Sequence, residues 1–157
     1  MTSDEIRDHI RYSGWASAKL LTAALALSDE QQNREFGVSH KSLMGTLEHC
    51  FLADRIWFSR VVDKRVLESD EPFTTQWPKI QKRWETWADA LTHQDLVRSV
   101  DYVDMKGNPH RTPVWQIVLH VVNHATLHRG QAMSLLRQLG AEAPPTDLIF
   151  YYREKSK

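Results

Sequence analysis

The chain has 157 residues, 41% of them hydrophobic, and its 20 basic side chains balance 20 acidic ones. This length suits one domain, 1–157, able to bury about two thirds of the surface its unfolded chain exposes, so no staple is needed for folding. Zero formal charge without a long block of either sign argues against a nucleic-acid partner, the lone Cys50 excludes an internal disulfide, and the apolar runs are too short or interrupted to span a bilayer. The start Met1-Thr-Ser-Asp-Glu has neither the basic residues nor the apolar stretch of a signal peptide, which predicts a cytoplasmic protein.

The first predicted helix runs from Ser3 to Leu27, with Ser3 as N-cap and Asp4 and Glu5 in the first turn, where the helix dipole favours negative charge. Ile10, Trp15, Ala18, Leu21 and Leu25 form its apolar side, and Gly14 allows close approach of another helix. The polar stretch Ser28 to Ser39 reads as a loop with room for a short helical turn. A second helix is expected from Ser39 or His40 to Asp63, carried by Leu43, Leu47, Phe51, Trp57, Phe58 and Val61. His49 shares a face with Leu52, Ala53 and Ile56, which predicts a buried imidazole.

Pro72 breaks the chain between Ser69 and Thr75, and Trp77, Ile80, Trp84, Trp87, Ala88 and Leu91 mark a third helix from Thr75 to Thr92, with Pro78 in its first turn. Its tryptophan stripe reads as core. Leu96 to Val103 alternates in polarity and leads into the turn Lys106-Gly107-Asn108-Pro109, predicting a short hairpin or extended excursion. The fourth helix is expected from Pro113 to Leu139, with Gly140 as its left-handed cap. Pro144 to Asp147 turns the chain, and Leu148 to Tyr152 packs back as a short element. Four long amphipathic helices with one longer connection predict an all-α four-helix bundle, a fold whose core commonly houses metal sites.

The chemistry concentrates in the fourth helix. His120, His124 and His128 are spaced four apart and so stand above one another on one helical face. Burying such imidazoles without partners costs a few kcal/mol each, whereas a shared cation satisfies a nitrogen on every ring. His124 and His128 with His49 from the second helix supply three nitrogens and leave a coordination position open for water or substrate. Three successive rungs cannot all reach an ion that His49 also binds, so His120 is assigned to a position beside the ligands or on the pocket wall. Arg129 and Gln131 flank that group: Arg129 can bind a substrate carboxylate, although a solvated or interhelical salt bridge is the expected role. Gly130 predicts close helix contact, within the chain or across a dimer interface, ahead of a direct part in catalysis. Cys50, about 100° around the helix from His49, is assigned to structure.

An open three-histidine ion can hold a thiol as thiolate or lower the pKa of bound water. Ala125 follows His124 where a His-Glu-x-x-His protease carries its base, and neither Asp54 nor Glu48 is placed to replace it, which argues against peptide hydrolysis. Imidazole ligands leave the metal open among zinc, nickel, iron and copper.

The run His120-Val-Val-Asn-His124-Ala-Thr-Leu-His128-Arg-Gly-Gln131, His49 followed by Ala53-Asp54 and Trp57, Trp15, and Pro144-Pro-Thr-Asp147 resemble the DinB family of DinB/YfiT-like metalloenzymes over nearly the whole chain. The His-x3-His-Arg-Gly-Gln run is the most specific part. The resemblance implies an up-down-down-up bundle, a homodimer, and a divalent ion, zinc or nickel ahead of iron, on His49, His124 and His128. It also implies a transferase acting on a small molecule with a low-molecular-weight thiol such as bacillithiol, mycothiol or glutathione. The alternatives are a non-catalytic metal-binding or dimerisation module and a metal-dependent hydrolase. The family's name refers to induction by DNA damage and implies no DNA binding.

Overall fold

The computed structural model describes residues 1–156; Lys157, the last residue of the predicted domain, lies outside the described residues. Helix α1, Ser3–Leu25, is capped one residue earlier than expected: the Thr2 hydroxyl accepts from the Glu5 amide while the Glu5 carboxylate accepts from the Thr2 amide. It ends two residues early. Ser28 forms a second capping box with Gln31 and starts the short helix α2, Asp29–Asn33.

Helix α3, Leu43–Val61, begins later than Ser39 or His40 because Lys41 takes a left-handed φ of 64°, which no helix continues through, and Ser42 caps the Gly45 amide at 3.0 Å. The residues before it form a tight strap: the Phe36 amide donates to Lys41 O at 2.6 Å and the Ser42 amide to His40 O at 2.7 Å. Gly45 is required there, since a Cβ would lie 2.2 Å from the His40 carbonyl oxygen.

A 3-10 turn, Lys64–Glu68, leads to α4, Phe73–Asp89. This helix starts two residues before the predicted Thr75, so Pro78 lies beyond its first turn and withholds an amide from the ladder. A short helix α5, His93–Val97, with a Thr92–Asp95 capping box, occupies part of the stretch read as extended. The connection then takes the hairpin form: β1, Ser99–Val103, pairs antiparallel with β2, Pro109–Pro113, setting Tyr102 opposite His110. Helix α6, Val114–Gln138, ends at Gly140, whose φ of 75° suits only glycine well. Helix α7, Leu148–Lys155, returns to α1 through Trp15 Nε1 donating to Glu154 at 2.8 Å and the Lys155–Asp8 pair at 2.6 Å.

The chain is thus mostly helical with one small two-stranded sheet. Among the long helices, α1 packs on α4 and α6, and α3 packs on the same two. Ile6, Leu20, Leu43, Leu47, Trp77, Ile117, Leu135 and Leu136 fill the space between them. Each such side chain contributes roughly 1.5–3 kcal/mol through removal from water. Trp77 and Trp84 are buried in this core; their indoles donate to the Asp54 carboxylate at 2.6 Å and to the Asp54 carbonyl at 3.4 Å, fastening α4 to α3.

Candidate metal centre

The packing of α3 on α6 sets His49 opposite His124 and His128. His124 Nε2 lies 3.1 Å from His49 Nε2 and 3.2 Å from His128 Nε2. A tetrahedral ion with nitrogen bonds of about 2.0–2.1 Å sets its ligand atoms about 3.3 Å apart, so both separations are close to those of two ligands on one cation. Gln131 fixes the third ring: its amide oxygen lies 2.8 Å from His128 Nδ1, which must carry the proton, leaving the Nε2 lone pair toward the cluster.

Desolvation, followed by the neighbouring rings, lowers the pKa of His49 and takes that of His124 down to about 4; burial also lowers His40 and His120. Near neutral pH these rings therefore carry free lone pairs. A proton shared between two rings satisfies one contact, but His124 Nε2 faces two nitrogens at once. Its Nδ1 is buried without a partner. A divalent cation fits this donor set, because it accepts every lone pair and favours neutral imidazole.

A fourth imidazole comes from the strap. His40 stacks on His49 with ring centroids 3.9 Å apart and 17° between planes, and meets His128 edge-on at 5.1 Å. One nitrogen from each of His40, His49 and His128 lies within 4.8 Å of the others, a group able to hold a metal ion. Helical periodicity alone puts a helix start at Ser39 or His40; Ser42 as a cap, three residues before Gly45, is the signal that places His40 in the preceding loop.

The remaining candidates lie around this cluster. His120 meets Trp57 edge-on at 5.3 Å and, with His49 and His124, lines an open cleft of about 700 Å³. Because His49 borders this cleft it is half-buried, where its apolar neighbours predicted full burial; Leu52 and Ile56 beside it are 44% and 37% exposed. The hairpin supplies the far wall. Arg60 donates to Val103 O at 2.9 Å and stands over the rings of Trp57 and Tyr102 at 4.6 and 4.8 Å, while Arg55 lines the same cleft.

Arg129 points the other way, into the core against α1. It is 1% exposed and bonds the hydroxyls of Ser13 at 3.1 Å, Ser17 at 3.3 Å and Thr126 at 2.9 Å, with its guanidinium 5.2 Å from the Tyr12 ring. Instead of the expected salt bridge, three hydroxyls take its protons, although its charge helps hold down the pKa of Asp54. Burial dominates there and pushes Asp54 up to about 6, against the Trp77 hydrogen bond and Arg129. Gly130 has nothing near the position of a Cβ, so the predicted helix contact is absent among the described residues. Cys50 is buried and its thiol is pushed up to about 12, chiefly by desolvation, which makes it a packing residue and not a nucleophile.

The DinB family model matches residues 2–156. Protein DinB of Bacillus subtilis (strain 168) is 24% identical over 153 residues, with 89% of each chain covered. A crystal structure of a DinB-like protein from Bacillus cereus ATCC 10987 aligns with a TM-score of 0.57 at 21% identity, covering 83% of this chain and 89% of that one, a likeness of fold.

Proposed function

Since the chain belongs to the DinB family, we propose that it is a metal-dependent enzyme in which His49, His124 and His128 hold one divalent ion, zinc or nickel ahead of iron. The observation that carries this reading is the convergence of three Nε2 atoms with His124 3.1 and 3.2 Å from the other two. Once bound, the ion supplies Lewis acidity, which keeps a coordinated thiol ionised at neutral pH. The chain's own residues do the rest. Gln131 orients His128 through Nδ1, the cleft beside His49 and His124 receives the substrate, and Leu52 and Ile56 offer it apolar surface. Arg55 and Arg60 in that cleft suit the carboxylates that bacillithiol and glutathione carry, and this supports transfer of such a thiol to a small electrophile. The same proposal has four of the helices as one up-down-down-up four-helix bundle in a single domain, assembled as a cytoplasmic homodimer. Its partners are small molecules and neither nucleic acid nor membrane; among the described residues no helix is long and apolar enough to cross a bilayer.

Elemental analysis of protein purified without a histidine tag is expected to give about one divalent ion per chain, and a His124→Ala, His128→Ala double variant almost none. Equal metal in both would overturn the assignment. With metal in place, thiol consumption in the presence of 1-chloro-2,4-dinitrobenzene should stop on chelation; turnover that survives a chelator would overturn the transferase reading.

A further inference from the structure

We propose that His40 is a fourth and exchangeable ligand of this centre, held over the open coordination position by the strap of residues 36–42 and withdrawn when an incoming anion takes its place. The inference rests on the three-histidine reading, to which it adds the occupant of the resting fourth position. Three observations carry it.

The first is distance. His40, His49 and His128 each bring a nitrogen within 4.8 Å of the others, and the His40 ring stacks on His49 with centroids 3.9 Å apart. The reach is right for coordination after a small inward shift. The second is the nature of the support. His49, His124 and His128 sit on long helices that cannot retract without breaking core packing, whereas His40 sits outside any regular element. The strap is closed on itself by four backbone bonds, Phe36 to Lys41, Val38 to Phe36, Lys41 to Val38 and Ser42 to His40, and Gly37, Val38, Ser39 and Lys41 within it are exposed. Phe36, packed against the core, and the buried Ser42 anchor its two ends, so the movable part is the exposed middle that carries His40. The third is space behind the ring. A separate cavity of about 450 Å³ is lined by His40 itself with Gln32, Lys41, Glu48 and Phe73 among others, whereas His40 is not among the residues lining the cleft that borders His49 and His124. The imidazole can therefore retreat into one hollow while a ligand enters through the other.

A site closed by four fixed protein ligands does no chemistry on added molecules, and one with three leaves its ion facing water. A histidine on a short strap gives a centre that is saturated at rest and opens to a stronger donor such as a thiolate or azide. No covalent bond is made or broken; one neutral nitrogen donor is replaced by one anionic donor, and the imidazole leaves neutral.

Cobalt(II) substituted into the full chain tests this. The wild type is expected to take up one cobalt per chain with the visible spectrum of a four-nitrogen tetrahedral ion. His40→Ala should keep one cobalt per chain, bind it at least about tenfold more weakly, show the spectrum of an ion with a solvent ligand, and bind azide at least about tenfold more tightly than the wild type. Gly45→Ala retains the imidazole but drives its Cβ into the His40 carbonyl, so it should shift azide affinity in the same direction. If wild type and His40→Ala agree in spectrum, cobalt affinity and azide affinity, the inference is overturned while the three-histidine reading stands. Complete loss of cobalt by His40→Ala makes the ligand a fixed one and overturns exchange. Failure of the wild type to bind cobalt overturns both.

Discussion

Asp54→Asn isolates the titration of one deeply buried carboxyl. Asp54 is 4% exposed, and asparagine keeps its size and still offers an oxygen to Trp77 Nε1, now 2.6 Å away. What disappears is the ionisation. In the folded chain burial pushes Asp54 from 3.8 up to about 6, while in the unfolded chain it titrates in the ordinary carboxylate range. Between those two values the folded state keeps a proton that the unfolded state has released, so raising the pH favours unfolding. Two pH units at about 1.4 kcal/mol each predict that this group alone lowers stability by about 3 kcal/mol, the loss beginning near pH 4 and complete above about pH 6.5. Urea unfolding of both proteins in the presence of a chelator, from about pH 4 to pH 8, measures this, and the histidines titrate alike in the two chains and cancel in the difference. The wild type minus variant stability should fall by about 3 kcal/mol across the range. A difference that stays flat would refute the reasoning, since it would mean that Arg129 and Trp77 fully offset the burial of the charge.

Gly130→Ala should stabilise the chain by about 0.5–1 kcal/mol in chemical denaturation, because the glycine is helical, exposed and faces open space; destabilisation would restore the close contact expected from the sequence. Arg129→Leu deprives Asp54 of the buried cation that helps hold its pKa down and removes the donor shared by Ser13, Ser17 and Thr126, so a loss of roughly 3 kcal/mol is expected by the same assay, and a change under about 0.5 kcal/mol would count against the network. Zinc at about 100 times its dissociation constant should add about 2.7 kcal/mol, read as a rise of roughly 5–10 °C in Tm. That rise should vanish in His124→Ala; an equal shift in the variant would place the ion elsewhere.

Helix α6 was legible almost residue by residue, since Pro113, a long periodic run and Gly140 each state a local rule that the tertiary structure does not override. The histidine spacing likewise sets His124 and His128 on one face, and their approach to His49 follows once α3 and α6 pack. Periodicity says which face a residue occupies and not what stands opposite. Arg129 therefore reads as pairing with a carboxylate where the neighbouring helix offers hydroxyls, and Gly130 as a close helix contact that no described residue of the chain makes. His40 was lost for another reason: a strap has no period, and its position depends on the left-handed Lys41 and on the gap at Gly45, neither of which leaves a repeating signature. The start of α4 lies two residues ahead of Thr75, which leaves Pro78 beyond the first turn, because its cap falls at Pro72, which makes no side-chain bond for the sequence to announce.

Seventy-five positions of chain separate His49 from His124, and the two rings become neighbours only when α3 and α6 dock. The nitrogen cage is thus a product of the finished fold, so the nascent polypeptide presents nothing comparable for a cation to choose. Discrimination among metals then falls to the assembled molecule, and release of a captured ion should report the collapse of the whole architecture in a single step.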